Sequence, residues 1–143
     1  IFMKYLELFA GIGGFRRAMD ALTNDHIMDF HCVGYSEIDP KAETTYRVNY
    51  IIDKDEIVMG DIVAFTNDKK NIKSLPNFDL LTGGFPCQTF SMMGNQTGFD
   101  EDRGQMFFRI MDILMVKKPK YVLMSKIYGI MIKEGHLPES RVN

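Results

Sequence analysis

The chain is short of cysteine, lacks tryptophan and carries no dominant charge, and each shortage narrows what it can be. Its two cysteines, Cys32 and Cys87, show no C-x-x-C spacing. That argues against a disulfide framework and a structural zinc site, and fits a reducing, cytoplasmic setting. His26, His31 and His136 form no ligand spacing with the cysteines or with one another, so no metal is expected. No apolar run approaches the roughly 20 residues needed to span a bilayer, and no signal peptide opens the chain, so no membrane partner is expected either. There is no internal repeat. The net charge of −2 gives no overall basic face of the kind a nucleic-acid binder usually carries; any DNA contact must rest on local basic surface or on surface supplied elsewhere.

What is present reads as one globular domain: 143 residues, 45% apolar and 25% charged, enough to bury a core. Lys4 to Phe9 is a short apolar segment next to glycines and predicts a buried first strand. Ala10-Gly-Ile-Gly-Gly14 follows, and then Phe15, Ala18, Met19 and Leu22 recur at helical spacing. Strand, glycine turn and helix make the first half of a Rossmann-like unit, in which a ligand lies against backbone at a helix N-terminus. Position 16 is Arg where the dinucleotide fingerprint requires its third glycine, so a nucleoside without a pyrophosphate is the expected ligand.

Phe30 to Tyr35 predicts a second strand, and Pro40 opens a helix running to about Asn49. Glu37 stands about 20 residues beyond the glycine turn, where a carboxylate can accept both ribose hydroxyls; a solvated helix-entry carboxylate is the alternative. Ile38 suits either an adenine face or an ordinary core contact. Glu56 to Met59 predicts a third strand, after which Asp61 either reaches an adenine amino group or caps the next turn. Thr66 to Ser74 reads as a polar surface connection without clear periodicity, and Phe78 to Thr82 as a fourth strand.

That fourth strand delivers Gly83-Gly-Phe-Pro-Cys87. The glycines remove bulk where a ligand approaches, Pro86 fixes the torsion before the thiol, and Phe85 is held extended. Cys87 is therefore the candidate nucleophile. Residues 88 to 104 have little apolar periodicity and read as a long functional loop or lid. Gln105 to Lys117 returns to helical spacing, and Tyr121 to Met124 predicts a fifth strand. Alternating strands and helices imply an α/β fold with a doubly wound, mostly parallel sheet and ligands at the strands' carboxyl ends. The glycine turn, Glu37, Asp61 and Cys87 all fall at such ends.

With these motifs in place, the chain resembles the N-terminal catalytic portion of DNA (cytosine-5) methyltransferases. Leu8-Phe-Ala-Gly-Ile-Gly-Gly14 is similar to the family's cofactor loop, Glu37-Ile38 to its ribose and adenine contacts, and Gly60-Asp61-Ile62 to its third cofactor motif. Gly84-Phe-Pro-Cys-Gln-Thr-Phe-Ser91 resembles the nucleophile motif, and Gly98-Phe99 through Arg103-Gly104 the segment after it. The resemblance implies a class I S-adenosylmethionine-dependent methyltransferase fold, truncated after about the fifth strand, and a bacterial or phage-encoded restriction-modification setting. It implies S-adenosyl-L-methionine held by Phe9, Ala10, Gly11, Ile12, Gly13, Gly14, Glu37, Ile38, Asp61, Ile62 and Pro86. It also implies double-stranded DNA with a flipped cytosine, contacted by Gln88, Ser91 and Arg103, with Cys87 as the catalytic thiolate.

Departures accompany the match. Ser125-Lys126-Ile127 stand where the family carries Glu-Asn-Val, and a serine cannot act as the carboxylic acid that assists attack. The family's target-recognition region and final cofactor motif have no counterpart. Residues 1–124 are therefore expected to be the N-terminal part of the catalytic domain and 125–143 a divergent, unassigned tail. The expected activity is DNA (cytosine-5-)-methyltransferase, incomplete or inactive as this single chain and needing a complementing C-terminal polypeptide. The alternatives are a non-catalytic S-adenosylmethionine- or DNA-binding module, or one subunit of a split methyltransferase.

Overall fold

The computed structural model describes residues 2–84 and 101–125, with 101–105 described by backbone alone. In chain order these form β1 (Phe2–Leu8), α1 (Gly14–Asn24), β2 (Asp29–Ser36), α2 (Pro40–Asn49), β3 (Ile57–Gly60), α3 (Ile62–Thr66), α4 (Lys69–Ser74), β4 (Leu80–Gly84), α5 (Glu101–Lys117) and β5 (Tyr121–Ser125). The strands make one five-stranded sheet in the order β3-β2-β1-β4-β5, and each neighbouring pair is parallel. The order reverses between β1 and β4, so their carboxyl ends open a crevice where α/β sheets bind ligands.

Alternation along β1 divides the two faces. Leu6 and Leu8 join Ile62 of α3, Ile72 of α4, and Ile110 and Ile113 of α5 in the main core. Tyr5 faces the other way, against Met19 of α1, Cys32 and Leu80. A register shift after Tyr5 pairs Tyr5 with Cys32 but Glu7 with Tyr35. The extra residue in β2 keeps Tyr35 on Glu7's face, where a regular strand would have turned it away. Tyr35 there stacks on Tyr46 of α2 at 4.3 Å between ring centroids.

Two segments differ from the sequence-based expectation. Thr66 to Ser74, expected as a surface connection, contains the end of α3 and all of α4. Each helix begins at an aspartate that accepts a backbone N–H two residues on, Asp61 from Val63 at 2.9 Å and Asp68 from Lys70 at 2.9 Å. Both helices are too short for an apolar period to show, and the caps carry the signal instead. Residues 101–104, expected at the end of the long loop, are the first turn of α5. Glu101 and Asp102 favour a helix N-terminus electrostatically, while the apolar stripe begins only at Met106.

Arg16 ties the α1–α2 face together. It is buried, with 7% of its surface exposed. Nη1 donates to Glu56 Oε1 and, at 2.9 Å, to Tyr46 Oη; Nη2 donates to Glu56 Oε2 at 3.1 Å and to the Ile51 carbonyl at 3.0 Å. The guanidinium also lies 5.5 Å from the Tyr46 ring centroid and 5.6 Å from that of Tyr50. Burial opposes its charge, and the paired Glu56 carboxylate outweighs that and holds it firmly protonated. Removing one partner of such a pair leaves a buried charge unmet. Arg16→Ala is expected to cost roughly 3–5 kcal/mol in urea unfolding; a loss below about 1 kcal/mol would contradict this account of the pair.

Candidate functional site

At the carboxyl ends of β1 to β4 the fold encloses a cavity of about 330 Å³, within the range of roughly 300–1,000 Å³ typical of small-molecule sites. Phe9 and Gly11 come from the loop after β1, Ser36, Glu37 and Ile38 from the end of β2, and Gly60, Asp61, Ile62 and Val63 from the end of β3. Gly84 ends β4, and Met106 reaches in from α5. The lining holds two carboxylates and no basic side chain among the described residues.

The loop after β1 is held by the end of β2. Three successive backbone donors are engaged there: Phe9 N–H to Ser36 Oγ at 3.1 Å, Ala10 N–H to the Ser36 carbonyl at 2.8 Å, and Gly11 N–H to Glu37 Oε1 at 2.7 Å. In a dinucleotide fold such donors cradle a pyrophosphate. Here their hydrogen bonds are internal. Glu37 Oε2 in turn accepts from Ile38 N–H at 2.9 Å and Asp39 N–H at 2.8 Å, which fixes the carboxylate at the cavity rim. Asp39 caps α2 through Lys41 N–H, with Pro40 at the first helical position.

Gly11 and Gly13 are both required by this geometry. Their φ values of 58° and 91° are left-handed, and a Cβ at Gly13 would run into the Tyr50 ring. Tyr50 Oη donates to the Gly13 carbonyl at 2.7 Å, so α2 braces the entry to α1.

Of the residues singled out from sequence, Phe9, Gly11, Glu37, Ile38, Asp61 and Ile62 meet around this cavity. Ala10 packs behind the loop with Tyr35 and Tyr46, Ile12 is 64% exposed, Gly13 faces Tyr50 and Gly14 opens α1. Asp61 lines the cavity and caps α3 with the same carboxylate. Pro86, Cys87, Gln88 and Ser91 lie outside the described residues. Arg103 is in α5, and its side chain is likewise outside them. Ser125 ends β5 directly opposite Gly84.

Sequence reasoning passed over Ser36 and the Arg16 network. A hydroxyl at a strand end just before an acid is a weak signal; Glu7 and Glu56 in or beside apolar strands hint at a buried cation, but nothing local identifies Arg16 as that partner. Cys32, the other thiol, is buried against Gly34 O. Burial first, and then the Glu56 carboxylate, push its pKa up, so it is a packing residue.

Beneath the loop lies Glu7, fully buried. Oε2 accepts from Tyr46 Oη at 2.8 Å, while Oε1 has no hydrogen-bond partner among the described residues. Desolvation raises the carboxyl to about 7, against the lowering effect of the Tyr46 hydrogen bond.

Comparison with known proteins places this geometry in context. The profile of the family described as C-5 cytosine-specific DNA methylase matches residues 3–134. The chain is 40% identical over 128 residues to the type II methyltransferase M.HgiCI of Herpetosiphon aurantiacus, covering 90% of this chain and 28% of that protein. It is 36% identical over 128 residues to the orphan methyltransferase M.Rho11sI of Bacillus phage rho11s, covering 90% of this chain and 24% of that one. The crystal structure of S. pombe Dnmt2 methyltransferase superposes with a TM-score of 0.60 at 21% identity, over 95% of this chain and 38% of that chain, which is a likeness of fold. The chain thus spans about a third or less of the length of the curated relatives it matches. Among the described residues no helix is long and apolar enough to cross a membrane, and no cluster of three or more His, Cys, Asp or Glu side chains could hold a metal ion.

The raised Glu7 carboxyl sets a pH dependence of stability. Below about pH 4.5 it is protonated in both folded and unfolded chains; between about 4.5 and 7 only the unfolded chain ionises, so the folded state binds more protons. Its contribution is therefore fully present at the acid end and is lost as pH rises through about 7. Glu7→Gln is expected to flatten this component, worth on the order of 3 kcal/mol at most. Urea-unfolding midpoints of the two chains between pH 4 and 8 provide the check; parallel curves would place the Glu7 titration elsewhere.

Proposed function

The chain belongs to the C-5 cytosine-specific DNA methylase family, and on that premise we propose that it is the S-adenosylmethionine-binding part of a DNA (cytosine-5-)-methyltransferase. The observation that carries this reading is the lining of the cavity. Apolar walls from Ile38, Ile62, Val63 and Met106, with two carboxylates and no cation among the described residues, suit a nucleoside that carries positive charge, and the internally bonded loop amides do not invite a phosphate.

In this reading Glu37 accepts a ribose hydroxyl through the Oε1 lone pair that Gly11 does not use, Oε2 being taken by Ile38 and Asp39. Ile38 and Ile62 flank the adenine, and Asp61 accepts its amino group. Phe9, Ala10, Gly11, Ile12, Gly13 and Gly14 shape the loop, with Pro86 completing the site. S-adenosylmethionine, when bound, supplies an electrophilic methyl group. Cys87, as the thiolate, adds to C6 of a cytosine flipped out of the duplex, which makes C5 nucleophilic. A C5–methyl bond forms as the methyl's bond to the sulfonium sulfur breaks and a neutral thioether departs; a base then takes the C5 proton, and the C6–S bond breaks to return the thiolate. Gln88, Ser91 and Arg103 contact the DNA.

A second reading, that the chain alone binds but does not catalyse, is favoured by Ser125. It stands at the end of β5 opposite Gly84, where the resembled motif has its carboxylic acid, and losing such a group typically costs roughly 10²- to 10⁴-fold in rate. Tyr121, Val122 and Leu123 of β5 are 54%, 48% and 47% exposed on the outermost described strand, which supports a complementing polypeptide pairing there.

Calorimetric titration with S-adenosylmethionine tests the cofactor role. One-to-one binding is expected, weakened on the order of 10²-fold by Glu37→Ala, which removes charge-assisted hydrogen bonds. A folded chain that fails to bind, or a variant that binds equally well, would refute it. For the catalytic role, a covalent adduct with DNA containing 5-fluorocytosine, lost in Cys87→Ser, separates the enzyme from the binding module.

A further inference from the structure

Phe9 has a φ of 51°, a left-handed conformation that a bulky side chain adopts only when its surroundings impose it. Its N–H and the next are both received by one residue, Ser36: the hydroxyl accepts from Phe9 at 3.1 Å and the carbonyl from Ala10 at 2.8 Å. Ser36 is itself fixed. It is 2% exposed and sits where the β2–β3 register shifts, Tyr35 pairing with Val58 but Ser36 with Gly60. The carbonyl bond would survive any substitution; the hydroxyl bond belongs to serine.

Phe9, Ser36 and Glu37 all line the same cavity, and Glu37 grips the amide of Gly11 two residues beyond Phe9. The left-handed torsion at Phe9 thus decides how the loop leaves β1, and with it the placement of the Phe9 wall opposite the Glu37 carboxylate. We propose that Ser36 is a positioning residue of the cofactor site, its hydroxyl holding Phe9 left-handed so that the loop is ordered before the ligand arrives. This rests on the reading of the cavity as the S-adenosylmethionine site. Without the hydroxyl, the Phe9 N–H loses its acceptor in a part-buried position, and the ligand must order the loop on binding.

The test compares Ser36→Ala, which lacks the hydroxyl, with Ser36→Thr, which keeps it while adding a methyl group to a buried site. S-adenosylmethionine affinity is measured by calorimetry, thermal midpoints by circular dichroism, and exchange of the Phe9 amide by NMR. Ser36→Ala is expected to bind roughly tenfold more weakly and to exchange the Phe9 amide faster. Ser36→Thr is expected to retain near-original affinity and amide protection even where its midpoint falls. Affinities that simply follow the midpoints in both variants would make Ser36 a stability residue and overturn the proposal, as would unweakened binding by Ser36→Ala. Absence of binding by the unsubstituted chain is a different result, overturning the cofactor reading from which the proposal starts.

Discussion

A buried guanidinium sets the conditions under which this fold can close. Arg16 enters the interior one turn into α1 and must find compensation for its lost hydration. It finds it in Glu56 just before β3, in the Tyr46 hydroxyl on α2 and in the Ile51 carbonyl between them. Those partners lie along one stretch from α2 to the start of β3, 30 to 40 residues beyond Arg16, so the network can form only when α1, α2 and the approach to β3 are together. Tyr46 passes the arrangement on to Glu7 in the central strand. Tyr50, beneath the same guanidinium, donates to Gly13. The glycine loop is therefore braced from below by the network that anchors the helix after it.

From above, the loop is braced by the end of β2. Ser36 and Glu37 together take up the amides of Phe9, Ala10 and Gly11. A loop held in this way keeps its shape without a ligand and presents no row of donors to an anion. The electrostatics agree, since among the described residues the cavity wall carries Glu37 and Asp61 and no lysine, arginine or histidine. With two carboxylates on its described wall, this cavity disfavours an anion electrostatically relative to a neutral or cationic small molecule. Recognition of a polyanion has to be assigned to other surface.

Much of this was legible in the sequence because the informative features are local. A strand, a glycine turn and a helix in succession declare the first unit, and the parallel sheet then forces Phe9, Glu37 and Asp61 to one edge. Asp61 illustrates the limit of such reading: reaching an adenine amino group and capping the next turn were alternatives, whereas the carboxylate that caps α3 also lines the cavity, so the cap does not exclude a ligand contact. Arg16 was visible only as a glycine that was missing. Its role depends on partners 30 to 40 residues away, and no local pattern encodes that. The short α3 and α4 escaped because helices of five and six residues are too short to show a period, and the first turn of α5 because its residues carry charge where the apolar stripe had yet to begin.

Binding and chemistry depend on different parts of this architecture. The described contacts that shape the cavity lie almost wholly within β1 to β4 and their connections, and none of them needs β5. What β5 contributes is position 125. The register sets Ser125 against Gly84, the last described residue before the stretch that carries Cys87, and a Cβ on Gly84 would lie 3.6 Å from the Ser125 hydroxyl. If Cys87 is the nucleophile as proposed, a carboxylic acid there would stand beside the strand end that precedes it in sequence, placed to give a proton to a base drawn against it. An alcohol is a far weaker acid and cannot do so at neutral pH. Under the proposed function, the register that places position 125 for catalysis thus makes serine an obstacle to it, while the braced loop and acidic rim of the cavity do not depend on that position.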